Sequence, residues 1–559
     1  MSNIDWSILI GTLMFIAGYG YWKTRGATSM QSHMKGDNEA KWWTVGLGVM
    51  ATQASAITFM STPGQAFHDG MGFVQFYFGL PIAMVIIAYT FIPIYHRLNV
   101  FTAYEFLEER FDIKTRSLTA ILFLIQRGLA AGITIYAPAI ILSTILGWNL
   151  NLLNFMLGTL VVLYTVSGGT KAVNVTQKQQ MFIIMSGMFI AFYVILESMP
   201  ENVGFSEAMY LAGQSEKLNV LDFSFNMESR YTFWSGITGG LFLSLSYFGT
   251  DQSQVGRYLG GKSIRESQMG LIMNGVFKVP MQFFILLVGV MVFVFYQFNA
   301  SPVFFNAATL SKLEAKHEIT AIKKQFDSIY TEKSLLAQQI TDDAQDKAIL
   351  QDQYKNLLKQ ETALRNDVKS LIKTHLPQEE SNDKDYVFIS FILAHMPTGL
   401  IGLLLAVIFC AAMSSTASEL NALATTTTVD IYKRSIRPEL TDAQSVVANK
   451  WLIVIWGLIA IAFACFGTLF ENLIQFVNIV GSVFYGTILG IFLIAFYFKN
   501  IQANAVFIGA IISEILIIII FKLDLIGYLW LNVIGCVLTI LISSILQWRS
   551  NQKMTHESS

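Results

Sequence analysis

Charge is scarce in this sequence. Asp, Glu, Lys and Arg make up 13% of its 559 residues, about half the share carried by a soluble domain, and mean hydropathy is +0.51. Such a composition excludes an ordinary soluble enzyme. Cysteine is nearly absent: Cys410, Cys465 and Cys536 all lie in apolar runs, which gives neither a disulfide framework nor a cysteine metal site. There is no HExxH, no Walker loop and no GxGxxG placed after a strand, so no motif points to an enzyme. A net charge of −1 offers no footing for nucleic acid.

What the chain has in abundance is long apolar runs. Thirteen can be drawn at 5–22, 43–68, 73–97, 117–146, 150–167, 173–198, 232–258, 268–297, 388–428, 448–468, 473–498, 503–522 and 526–547, most near the ~20 residues that cross a hydrocarbon core. The sequence therefore predicts an all-α integral membrane protein with the lipid bilayer as its solvent. The first run is no cleaved signal, because Lys23 and Arg25 follow it and no basic residue precedes it. With the N-terminus outside, basic residues cluster in the inner loops: Lys23, Arg25, Lys35 and Lys41; Arg97, Arg110, Lys114 and Arg116; Lys171 and Lys178; Arg257, Lys262 and Arg265; Lys433, Arg434 and Arg437. Thirteen spans then leave the C-terminus cytoplasmic, in a cell (plasma or inner) membrane.

Charge is concentrated in one place. Leu310 to Asp385 holds 12 Lys or Arg and 14 Asp or Glu. Ile319, Ile322, Phe326, Ile329, Leu336 and Ile340 form one heptad-like stripe, and Leu350, Tyr354, Leu357, Leu364, Val368 and Leu371 another. The polar TDDAQD of Thr341 to Asp346 between them suits a turn and an N-cap. The segment reads as an antiparallel helical hairpin outside the cytoplasm, a wet spacer or a docking element whose partner the sequence does not name.

Two spans look breakable. WTVGLGVMATQASAITFMSTPGQAFHD, residues 43–69, carries Thr52, Gln53, Ser55, Thr58, Ser61 and Thr62 beside its small residues. WSGITGGLFLSLSYFGTDQSQVGRYL, from Trp234, carries Gly236, Gly239 and Gly240, then Tyr247, Phe248, Gly249 and the polar Thr250, Asp251 and Gln252. Small residues alone allow close helix packing, but polar groups at a helix break are where transporters bind ions and solutes. Each opens a set of five spans, which predicts two inverted repeats. A third unusual span, CAAMSSTASELNALATTTTVDIYKR from Cys410, has eight hydroxyl side chains between Ser414 and Thr428. A serine in a helix can bond back to the carbonyl one turn earlier; a cluster of such oxygens also suits a dehydrated cation.

Four ordered segments carry a resemblance: SAITFMSTPGQAF, LYTVSGGTKAV at Leu163 to Val173, YFGTDQSQVGRYL at Tyr247 to Leu259, and AAMSS at Ala411 to Ser415 with the run after it. Together they resemble the sodium:solute symporter family from about residue 5 to 500, apart from the hairpin insertion. The resemblance implies the leucine-transporter-type fold of two inverted five-helix repeats with broken first helices. It also implies Na⁺ as the co-transported ion, held by the carbonyls of Ala51, Ala54 and Ala411 and the hydroxyls of Ser414 and Ser415. Where the family often has a Thr-Asp pair, this chain reads NVTQKQQ, with Gln177 in place of the acid associated with an inner or second sodium. One sodium per solute is the expectation.

The family's pocket positions fall here on Gln53, Thr58, Phe59, Gln75, Phe76, Gln475 and Asn478, and Thr52 and Tyr247 are further candidates for the solute. Arg127 joins them as a charge within a span, a functional candidate by default; it could also pair with an acid. Its planar fork fits a carboxylate, so the expected solute is an organic anion, with a neutral sugar or polyol as the alternative. The expected organisation is an N-terminal helix and inner loop (1–42), a first repeat (43–198), an outer loop (199–231), a second repeat in two parts (232–297 and 387–498) around the hairpin (298–386), and two C-terminal helices with a short tail (499–559). The function expected is sodium-coupled uptake of a small organic solute by alternating access. A membrane receptor is the competing class, opposed by the short RSNQKMTHESS after Trp548.

Overall fold

A computed structural model describes residues 1–24, 40–98, 100, 102–314, 319–342, 347–466 and 472–557. Arg25, Lys35 and most of the TDDAQD turn lie outside them, and the side chains of Lys171, Gln177 and Lys178 are likewise not described.

Helices account for nearly all of the described chain. Eight are long and apolar enough to cross a membrane, and Asn3–Phe15, Leu150–Val166 and Met181–Glu197 are shorter apolar stretches. Their starts follow local chemistry, since a side-chain oxygen satisfies an amide left unpaired in the first turn. Asp112 accepts from the Thr115 amide at 2.8 Å to open Ile113–Leu146, Ser263 from Glu266 at 3.3 Å to open Ile264–Phe298, and Asn472 from Gln475 at 3.1 Å to open Leu473–Tyr497.

Both expected breaks are present. The first broken helix consists of Trp42–Gln53 and Ala56–Asp69, interrupted at Ala54 and Ser55. At the gap the Ala54 amide still reaches the Met50 carbonyl at 2.7 Å, whereas the Thr58 amide turns to Ser55 at 3.0 Å. The carbonyls of Ala51 and Ala54 thus fall between two hydrogen-bond ladders. The second broken helix has a π-turn at Ser235–Gly239, then Gly240–Gly249, a gap at Thr250 and Asp251, and Gln252–Tyr258. Asp251 caps its last piece through the Ser253 amide at 2.9 Å.

Two boundaries differ from the sequence reading. The run drawn as one span at 388–428 is two helices, Lys384–His395 and Leu400–Thr426. Gly399 separates them with φ of 93°, a conformation that favours glycine, and its amide donates to Asp5 of the N-terminal helix at 2.7 Å. Conversely, 150–167 and 173–198 belong to one helix, Leu150–Glu197. No proline interrupts the polar stretch between its two apolar parts, so the backbone ladder continues where hydropathy suggested a loop.

The charged segment forms the helices Ile319–Thr341 and Lys347–His375. Ile319, Phe326 and Ile329 share an apolar cluster with Leu364, Val368 and Ile372. The early residues of one helix thus meet the late residues of the other, so the pair is antiparallel. Ile372 takes the buried position expected of Leu371. Tyr354 bonds Gln297 at 3.1 Å, which docks the hairpin on the bundle, and Arg365 reaches the Pro302 carbonyl of the connecting segment at 3.0 Å.

Candidate functional site

The hydroxyl-rich helix Leu400–Thr426 packs against both halves of the first broken helix, against Ile113–Leu146 and against Gln252–Tyr258. It is the most enclosed of the long apolar helices: 82% of its apolar window is buried, against 28% for Asp442–Phe466. Enclosure explains how it carries hydroxyls, because polar groups facing lipid have no partners. Ser415 donates to the Ala411 carbonyl at 2.9 Å and Ser418 to the Ser414 carbonyl at 2.8 Å. These are the back-bonds open to any helical serine. Ser414 is different, because its Oγ is buried with no partner among the described residues.

Next to these helices lies a cavity of about 80 Å³. Of the residues expected to line it, Thr52, Gln53 and Thr58 come from the first broken helix and Phe76 from the segment after it. Arg127, Tyr247 and Asn478 arrive from three further elements. Phe59, Gln75 and Gln475 do not line it. Phe59 is core packing. Gln75 clamps the segment 219–231, donating to the Tyr231 carbonyl at 3.0 Å and accepting from the Asp222 amide at 2.9 Å, and Gln475 donates to the Tyr231 hydroxyl at 3.1 Å.

Arg127 is buried and fully engaged at its two terminal nitrogens. One bonds Glu419 at 3.1 Å; the other meets the Asp251 carboxylate and the Tyr485 hydroxyl, the latter at 2.9 Å. Tyr247 lies beneath the guanidinium, 5.3 Å from ring centroid to Cζ. Four elements therefore converge on one side chain. Asp251 holds Arg127 as well as capping its own helix, so it serves site and structure together.

Sequence reasoning missed Glu419, which lines the cavity, and with it Thr134, Tyr77 and Tyr485. The signal for Glu419 was present: it is an acid in the middle of an apolar helix, the criterion that selected Arg127. Tyr77, Thr134 and Tyr485 had no such mark, because tyrosine and threonine occur throughout the spans.

A family model described as "Sodium:solute symporter family" matches residues 34–323 and 371–513. The chain belongs to the sodium:solute symporter family. The family is one of transporters, not enzymes, and the stretch it leaves unmatched, 324–370, lies within the hairpin. This symporter-family chain is 30% identical over 297 residues to the human sodium/iodide cotransporter, a match covering 52% of the chain and only 45% of that protein. It is 23% identical over 525 residues to the sodium/sialic acid symporter SiaT of Proteus mirabilis (strain HI4320), covering 92% and 89%. With the sodium/glucose cotransporter of Vibrio parahaemolyticus it shares 25% identity over 532 residues, covering 92% and 84%. A solved structure described as the substrate-bound outward-open state of a Na⁺-coupled sialic acid symporter superposes with a TM-score of 0.75 over 98% of both chains, at 22% identity. The fold is thus of the expected leucine-transporter type.

Proposed function

We propose that the protein is a sodium-coupled symporter that imports a small, neutral, hydroxyl-bearing solute through the cavity beside the first broken helix. Family membership supports the sodium coupling, and the relatives named above are sodium-coupled by description. For the solute, the carrying observation is that Arg127, the cation in the cavity wall, already faces two carboxylates. An incoming anion would have to displace Asp251 or Glu419 and leave it buried without its countercharge, at a cost of several kcal/mol. The amides of Gln53 and Asn478, the hydroxyls of Thr52 and Thr58, and the rings of Phe76 and Tyr77 offer a neutral polyhydroxylated solute hydrogen bonds and an apolar face.

In this reading sodium occupies the gap between the carbonyls of Ala51 and Ala54 and the hydroxyl-rich helix, with Ala411, Ser414 and Ser415 as its other ligands. Sodium that binds better to the outward-open state shifts the population toward it, which couples the ion gradient to the solute.

The test is a thermal-shift panel of the purified protein with and without sodium. It compares neutral sugars and polyols with sugar acids and monocarboxylates, followed by uptake of any stabilising compound into proteoliposomes. Sodium-dependent stabilisation by neutral compounds, and uptake lost when potassium replaces sodium, are expected. Stabilisation by carboxylates and not by their neutral counterparts would overturn the solute class; uptake indifferent to sodium would overturn the symport.

A further inference from the structure

The segment that leads from the hairpin into Lys384–His395 carries two carboxylates with oxygens left over. Asp385 is buried; its Oδ2 accepts from the Leu473 amide at 3.0 Å, while its Oδ1 has no partner among the described residues. Glu380 Oε2 accepts from the Tyr386 hydroxyl at 3.2 Å, and its Oε1 is likewise buried without a partner among them. Ser61, fully buried on the first broken helix, faces Asp385, yet its hydroxyl meets no partner at hydrogen-bonding geometry. Asp385 in turn repels charge on Glu380.

Among the described residues, the nearby cations are already engaged. Lys384, the one that bears on Asp385, pairs with Asp69 at 2.6 Å. Lys369 pairs with Asp383 at 3.2 Å, and His68 lies 3.8 Å from the same carboxylate. The remaining groups that bear on the two acids are the phenols of Tyr136 and Tyr386 and the like charge of Asp383. Two carboxylates in so dry a place cannot both stay ionised cheaply, and one of them takes a proton. Helix ends decide which. Asp385 lies in the first turn of Lys384–His395 and accepts the first amide of Leu473–Tyr497, and helix N-termini favour negative charge. Glu380 lies between helices, and burial together with Asp385 pushes its carboxyl well above the ordinary value. A metal fits less well: calcium takes roughly six to eight oxygens, and the described residues contain no group of three His, Cys, Asp or Glu that could hold an ion.

We propose that Glu380 is a proton-binding site whose proton keeps the segment 379–385 seated against the first broken helix, Ile113–Leu146 and Leu473–Tyr497. These three helices also line the solute cavity, through Thr58, Thr134 and Asn478. Protonation is therefore linked to access to the cavity from the end of the bundle that carries the hairpin. Without the proton two like charges face each other away from water, and the seat loosens. An acid whose pKa is raised in the seated state makes the seat firm at low pH and weakens it as pH rises through that raised value. The inference does not depend on which solute the cavity takes.

The experiment counts protonated carboxyl groups by infrared difference spectroscopy, on the purified full-length chain in detergent. At pH 7 the wild type should show one protonated carboxyl more than Glu380→Gln, and raising the pH should remove it. In Asp385→Asn the same band should vanish at a lower pH, because the like charge that favours the proton is gone; this shift keeps the test open if Glu380→Gln does not fold. Hydrogen exchange in 384–395 and 473–478, corrected for its intrinsic pH dependence, should quicken in the wild type as the proton leaves. It should not quicken in Glu380→Gln, which is neutral throughout. Equal carboxyl counts in the wild type and Glu380→Gln, or protection of the wild type by added calcium without a carboxyl band, would overturn the proton site. A difference of one carboxyl with the same exchange in both proteins would overturn its hold on the segment.

Discussion

At the residue scale, Ser414 and Ser415 do different things despite their adjacency. Ser415 already has a partner in the Ala411 carbonyl, whereas the buried Ser414 hydroxyl has none among the described residues. Ser414→Ala should therefore raise the sodium needed for half-maximal uptake more than Ser415→Ala. The double variant should raise it about tenfold or more, corresponding to loss of ~1.4 kcal/mol of ion binding. Sodium titration of uptake checks this. Arg127 makes a different prediction, because it holds two buried acids. Arg127→Gln leaves both without a countercharge and should destabilise the protein by about 3–5 kcal/mol, read as a large fall in melting temperature. Adding Glu419→Gln removes one orphaned charge, so the double variant should melt above Arg127→Gln alone. Equal melting temperatures would show that the guanidinium is not what keeps Glu419 buried.

Elements meet through glycine where backbones come close. A Cβ built on Gly64, in the second half of the first broken helix, would sit 1.8 Å from the Lys384 carbonyl oxygen. That oxygen belongs to the backbone at the start of Lys384–His395 and cannot turn aside, so Gly64→Ala must push the two helices apart. Overpacking of this kind costs about 1–3 kcal/mol. It should lower the melting temperature and disturb transport, since the displaced helix carries the gap at Ala54. Gly72→Ala is the control: its Cβ would meet only the Asn219 carbonyl, at 3.8 Å, and its melting temperature should match the wild type.

For the whole molecule, the hairpin is the most charge-rich part, and an ion pair fastens its two helices. Lys333 meets Glu361, which also takes Arg365 at 3.0 Å. Burial alone would push the Glu361 carboxyl up, but the two cations outweigh it and hold the group at about 2. Burial is also the largest influence on Lys333 and draws it below its ordinary value in spite of Glu361; the acid limb is therefore set by the carboxylate. A carboxyl depressed below its unfolded value of about 4.3 contributes stability in full above that pH. The contribution is lost as pH falls from about 4 toward about 2. Hydrogen exchange in 319–341 and 347–375 should be slow at pH 6 and clearly faster at pH 3. Glu361→Gln should exchange fast at both, whereas unchanged protection in that variant would remove the ion pair from the account.

The membrane class, both helix breaks and the hydroxyl-rich helix were legible in the sequence, because bilayer thickness and backbone hydrogen bonding tie composition directly to local structure. Arg127 was legible too, as a charge that could not be left unpaired in lipid. Its partners were not: Asp251 and Glu419 are 124 and 292 positions away, and no local rule says which distant acid a buried arginine meets. The same limit explains why Phe59, Gln75 and Gln475 were expected at the cavity. Each lies on an element that lines the cavity through its neighbours, but the direction each side chain faces depends on how neighbouring helices are packed around it. Residue type thus set where polar groups had to be satisfied. Only the packing of distant helices decided by whom, and with that the balance of charge in the cavity that bears on ion and solute.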